Sequence, residues 1–183
     1  MEKRSHLGMA GHYAAMAEFL YRGYNVAVPA VDVGDDVYVV EDQQGTMWRL
    51  QVKTSDELTT SDGGTTTHRL SRRQLREVKP NELYFMFVVR WQSRWRFVLI
   101  GRAQLAELRD AFEARARKGP GRPALADAEA TTDALILRIR WDGDQAEAWN
   151  TSLTPYLDRW PDAFPINPDG PGASAERSPS PDR

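Results

Sequence analysis

Residues 32–53 read D-V-G-D-D-V-Y-V-V-E-D-Q-Q-G-T-M-W-R-L-Q-V-K. Val37, Val39, Trp48, Leu50 and Val52 alternate with Asp36, Tyr38, Arg49, Gln51 and Lys53, the period-2 pattern of strands with one apolar and one polar face. Asp42-Gln43-Gln44-Gly45 between the two runs has turn chemistry, so the segment is expected to fold as one β-hairpin. A four-residue loop pairs Glu41 with Thr46 and, counting outward, sets Asp36 opposite Gln51; a five-residue loop shifts Gln51 to Asp35 or Val37. In the first register Asp36 and Gln51 share a face with Cβ atoms about 5 Å apart, and Lys53 lies on the diagonal.

A carboxylate, an amide oxygen and an ammonium on one patch have a chemical use. Mg²⁺ or Mn²⁺ takes oxygen ligands and keeps several waters, so Asp36 and Gln51 are the candidate metal ligands, with Asp35 as a neighbouring charge to attract the ion. Lys53 would orient water or offset charge growing on a phosphate. A solvated polar strand face accounts for the same letters, because Q-x-K by itself is a common triplet.

Outward from the hairpin, residues 8–22 read as a helix rich in alanine, closed by Gly23. His12, Met16, Phe19 and Gly23 form one stripe, expected to face the sheet, while Glu18 is placed to pair with Arg22 at i,i+4. Residues 24–31 read as a strand. Residues 55–67, polar and threonine-rich, read as a loop beside the candidate site. Ser71 is placed to cap a short helix whose Arg72, Arg73 and Arg76 present a basic surface. Residues 83–91 and 95–101 form a second hairpin, the first strand apolar enough to be buried on both faces. Trp91 and Trp95 stand among Arg90, Arg94 and Arg96, an arrangement that serves either to stack bases or, more commonly, to cover the rim of a core. Residues 102–118 read as a helix with Leu105, Leu108 and Phe112 inward. Residues 134–141 read as a strand joining the sheet's edge, and 152–162 as a short helical turn docking aromatics.

The helix and hairpin together resemble a known family. D-x-G-D-D followed by Q-V-K, preceded by A-G-H-Y-A-A-M-A-E-F-L-Y-R-G-Y-N-V-A-V-P, is similar to the PD-(D/E)XK nuclease superfamily, over about residues 8–101. The resemblance implies a restriction-endonuclease-like αβββαβ core, with Asp36 as metal ligand, Gln51 as second ligand and Lys53 as catalytic lysine. Relatives usually read G-E-Y near the start of the first helix; Gly11-His12-Tyr13 stands here, so His12 occupies the place of an acidic ligand.

Composition bounds these readings. The 183 residues suffice for one domain, expected over 1–164, with 165–183 as a disordered tail carrying five prolines and no aromatic residue. No cysteine occurs, so thiolate metal sites and disulfides are excluded and a cytoplasmic setting is expected. No apolar run suggests a signal peptide or membrane span. Net charge is −2, but residues 32–62 carry −6 and residues 65–102 carry +7. An acidic region that collects metal beside a basic one that collects phosphate suits a nucleic-acid partner, DNA ahead of RNA, and a homodimer is the common arrangement for a small domain that cuts duplexes. The fold class expected is α/β, a mixed β-sheet flanked by helices. Two functions stand: a Mg-dependent endonuclease, and a nuclease-like module that binds nucleic acid or protein without cutting.

Overall fold

The computed structural model describes residues 2–31, 34–43, 45–117, 133–161 and 164. The expected tail at 165–183 lies outside them. Helix α1 (Glu2–Tyr21) is followed by β1 (Asn25–Ala27), β2 (Val37–Glu41) and β3 (Thr46–Thr54), an antiparallel meander. The chain then makes β4 (Gly64–Ser71) and α2 (Arg72–Arg76) before β5 (Leu83–Trp91) returns beside β3 and parallel to it. β6 (Arg94–Gly101) closes a five-stranded mixed sheet of order β1-β2-β3-β5-β6. After α3 (Arg102–Arg117) come β7 (Ala134–Asp142), β8 (Gln145–Ala148), β9 (Thr151–Ser152) and a 3₁₀ turn at Thr154–Tyr156. The fold is α/β, as the pattern of elements implied.

The hairpin at the centre has the expected register, Glu41↔Thr46 through Val37↔Leu50. β5 is buried on both faces except at Arg90, as its continuous apolar run required.

Three expectations are corrected. Residues 64–67, expected in the loop over 55–67, belong to a strand: β4 pairs with β7 from Gly64↔Trp141 to Ser71↔Ala134. β7 accordingly does not join the edge of the main sheet but builds a second one, β4-β7-β8-β9. The physical reason is amphipathicity, since Leu135, Leu137, Ile139 and Trp141 from β7 and Leu70 from β4 share one buried face, which packs on Phe85, Phe87 and Val89 of β5. The edge of β6 is instead met by the segment after the 3₁₀ turn, where Val98 bridges Leu157 and Asp158 N donates to Phe97 O at 2.7 Å.

The third correction concerns α1, which starts at Glu2 and buries Gly11, Ala15 and Phe19, leaving His12 and Met16 half-buried on the shoulder. A Cβ on Gly11 would lie 2.0 Å from Thr54 Oγ1, so the helix docks on β3 along its line of smallest residues. Gly23, at φ +84°, ends it in a Schellman motif: Tyr24 N donates to Phe19 O and Gly23 N to Leu20 O. Glu18 forms the expected ion pair with Arg22.

The main sheet thus has two covered faces. Toward α1 lie Val37, Leu50, Val52, Met86 and Leu99 with an aromatic group of Phe19, Tyr24, Trp48 and Phe164. The other face meets the second sheet and α3.

Candidate metal and nucleic-acid site

Asp36 sits one residue ahead of β2, where the regular ladder has ended at Val37↔Leu50. Its main-chain N–H donates to Leu50 O at 2.9 Å, and its carboxylate Oδ2 accepts from Val52 N at 2.8 Å. Asp36 therefore brackets Gln51, bonding the residue on either side of it. The same Oδ2 lies 3.8 Å from His12 Nε2, with the two side chains 22% and 26% exposed. The half-turned shoulder of α1 is what brings His12 to the carboxylate.

Gln51 is not on a solvated face. The second sheet covers that side of β3, leaving Gln51 5% exposed and Lys53 half-buried. Gln51 Oε1 is buried and has no hydrogen-bond partner among the described residues. An amide oxygen left so costs about 1–3 kcal/mol, which a water, an ion or another ligand at this point would relieve.

Asp35 does not face the ion's place as a free charge. It is 4% exposed, and both its oxygens are held by Arg49, Nη2 to Oδ1 at 2.6 Å and Nε to Oδ2 at 2.8 Å. The hydrogen bonds that Arg49 donates to Asp35 raise its guanidinium above its ordinary pKa, against the effect of burial. The pair fixes the loop entering β2 against β3.

The structure adds a residue that the sequence reading did not single out, just past the expected loop. His68 of β4 is 3% exposed beneath Lys53, its ring 5.0 Å from that of Phe87. Thr66 Oγ1 accepts from Trp141 Nε1 at 2.8 Å and stands 2.9 Å from His68 Nε2, while a further hydrogen bond joins His68 to the main chain of Lys53. The ring is thus hydrogen-bonded both to the Thr66 hydroxyl and to the Lys53 main chain. Burial, then the nearby Lys53 charge, pushes the imidazole down to about 4. His68 is thus neutral near pH 7 and ties the second sheet to the strand that carries Gln51 and Lys53.

Arg72, Arg73 and Arg76 lie on α2, capped as expected by Ser71, whose Oγ accepts from Gln74 N at 3.2 Å. Asp133 also clamps this end, accepting from Arg73 N at 2.8 Å and from Ser71 Oγ. Arg73 and Arg76 are exposed, whereas Arg72 is half-buried. Gln74 Nε2 donates to Gly34 O at 2.8 Å, so α2 is fastened to the loop leading to Asp35 and Asp36. Trp91 is 5% exposed, with its Nε1 donating to Thr60 O at 2.8 Å, which makes it a cover for the core rim.

These residues suit a hard dication. Asp36 supplies a charged oxygen and Gln51 an unpartnered neutral one, and both donor types are those Mg²⁺ or Mn²⁺ accepts. Among the described residues no three His, Cys, Asp or Glu side chains gather at one point, so such an ion would keep several waters. None of the described helices is long and apolar enough to cross a membrane.

No family model matches this chain, and no curated protein matches it. Among solved structures it is similar to a bacterial homing endonuclease, at 20% identity and a TM-score of 0.37, over 52% of this chain and 62% of that one. The chain spans less than two thirds of that structure's length.

Proposed function

We propose that the protein hydrolyses phosphodiester bonds of nucleic acid, DNA in the first place, with Mg²⁺ or Mn²⁺ held by Asp36 and Gln51. The observation that carries this reading is the buried, unpartnered Gln51 Oε1, bracketed by the hydrogen bonds of Asp36. The connectivity also supports it: a helix, a three-stranded meander, a crossover and a parallel strand, with the acid at the head of β2 and Gln-x-Lys on β3, is the arrangement expected of the PD-(D/E)XK superfamily.

When bound, the ion supplies Lewis acidity at a phosphoryl oxygen. The chain's own groups do the rest. Lys53, held at its main chain by His68, offsets negative charge on the phosphate and orients water. His12, beside Asp36, hydrogen-bonds that water or takes its proton. Arg73 and Arg76 draw in the backbone.

A second reading has its own observation. His12 stands where an acid would complete a charged ligand set, which favours a module that binds without cutting. Two measurements separate the readings: calorimetric titration with Mn²⁺, and plasmid nicking with Mg²⁺ or Mn²⁺ by wild type, Lys53→Ala, His12→Ala and His12→Glu. For the enzyme, wild type nicks, Lys53→Ala and His12→Ala lose activity, and His12→Glu keeps or raises it. For the binding module, wild type is silent and only His12→Glu gains activity. Absence of metal binding in every variant ends the nuclease reading.

A further inference from the structure

The second sheet has an outer face as well as an inner one, and its composition is unusual for a merely solvated surface. Along β4, Thr65, Thr67 and Arg69 point out, and along β7, Ile136, Arg138 and Arg140 do the same. The register sets Thr65 beside Arg140, Thr67 beside Arg138 and Arg69 beside Ile136. Side chains two residues apart on a strand stand about 7 Å apart, so Arg138 and Arg140 make an evenly spaced row with Arg69 on the neighbouring strand. The core is complete on the inner face, so packing does not require these arginines.

Acidic groups on this face are few. Glu147 lies 3.4 Å from Arg140, but both are exposed, at 43% and 62%, and such a pair contributes little and exchanges readily for a phosphate. Asp142 stands at the far end of β7. Among the described residues neither Arg69 nor Arg138 has an acidic partner.

The face is also hollow. A cleft of about 560 Å³ is lined by Thr65, Arg138 and Arg140 of this face together with Arg109, Glu147 and Trp149. Trp149 and Asn150 form the β8–β9 turn at φ 52° and 56°, and the Arg109 guanidinium, paired with Glu113 at 2.7 Å, lies 5.4 Å from the Trp149 ring. A row of cations beside a supported aromatic wall suits a phosphate chain with bases attached. At the other end β4 runs directly into α2, whose Arg73 lines a second cleft together with Gly34, Arg49 and Lys79 and the carboxylates of Glu77 and Asp133, and Gly34 immediately precedes Asp35 and Asp36 in the chain.

We propose that the outer face of the second sheet, through Arg69, Arg138 and Arg140, binds the sugar-phosphate backbone of nucleic acid and, with α2, forms one basic track toward Asp36. The proposal rests on the nuclease reading for the choice of ligand, not for its geometry. The experiment is fluorescence anisotropy with a labelled 20-base-pair DNA duplex at several salt concentrations. Wild type is compared with Arg69→Ala/Arg138→Ala/Arg140→Ala and, as a control for lost charge, Arg90→Ala/Arg94→Ala on the β5–β6 hairpin, with nicking and a thermal melt run in parallel.

The triple variant should melt like wild type, bind on the order of tenfold more weakly near 0.1 M salt, and show a salt slope shallower by about 2 to 3 units, near 0.9 for each phosphate that is no longer neutralised. The control should leave the slope unchanged. An unchanged slope in the triple variant, an equal change in the control, or no binding by wild type overturns the proposal. Nicking tells the two readings apart: wild type that binds through this face without cutting retains the surface and removes the nuclease, whereas cutting with an unchanged slope in the triple variant removes the surface alone.

Discussion

Asp35 and Asp36 leave the same loop one residue apart, and the fold treats them differently. Asp35 is buried with both oxygens on Arg49, a closed ion pair with no capacity left for a ligand. Asp36 is about a fifth exposed, anchored by the Val52 amide and faced by a histidine rather than an arginine. Charge alone does not make a metal ligand; what matters is whether the surrounding donors have already neutralised it. The two histidines repeat the lesson, since His12 is partly exposed against a carboxylate while His68 is buried, neutral and hydrogen-bonded to Thr66 and the Lys53 main chain.

The sharpest way to break this contrast is to neutralise each carboxylate in turn. Asp36→Asn should lower metal-dependent nicking by at least about a hundredfold, as removal of a group acting on the reacting phosphate commonly does, while shifting the melting temperature only slightly. Asp35→Asn should do the reverse. It leaves the Arg49 charge buried without its partner, at a cost of about 3–5 kcal/mol, which a denaturant titration would read. If Asp36→Asn unfolds the protein and Asp35→Asn abolishes metal binding, the assignment of roles is inverted.

The histidines give a pH test of nearly the same size. Folded His68 holds a proton only below about pH 4, whereas in the unfolded chain it does so below about 6.5. The unfolded state therefore takes up the proton first as pH falls. Its contribution to stability is complete above pH 6.5 and is lost on descending toward pH 4, by about 3 kcal/mol in all. His68→Gln should flatten that part of the stability curve, measured by urea unfolding across pH 4–7; a curve as steep as wild type would place the buried proton elsewhere.

The smallest expected change is at Gln51. Gln51→Glu puts a full charge where a neutral oxygen now lies buried, so Mn²⁺ affinity by calorimetry should rise on the order of tenfold, or about 1.4 kcal/mol, while the metal-free protein loses stability. Unchanged affinity would mean that this oxygen does not reach the ion.

Alternation and turn chemistry were enough to place the central hairpin, the Ser71 cap, the buried β5 and the Gly23 stop, because each depends on residues close in sequence, while of the two registers that the loop length allowed the structure has the four-residue one. The same local patterns pointed to Asp36, Gln51 and Lys53 as a group. They did not reveal the second sheet. Thr65-Thr66-Thr67 reads as a polar loop until β7, some 70 residues later, supplies the partner that makes one of its faces a core. Without that sheet Gln51 looked solvated and His68 had no place. The depth of α1 was likewise hidden, since the line Gly11, Ala15, Phe19 becomes the buried one only when Thr54 is found against Gly11. Sequence thus determined which chemical groups stand on β3 and in what order. Tertiary packing decided which of them are dry, because burial is set by a neighbouring surface from distant chain, and it is burial that satisfies Asp35, silences His68 and leaves the Gln51 oxygen without a partner.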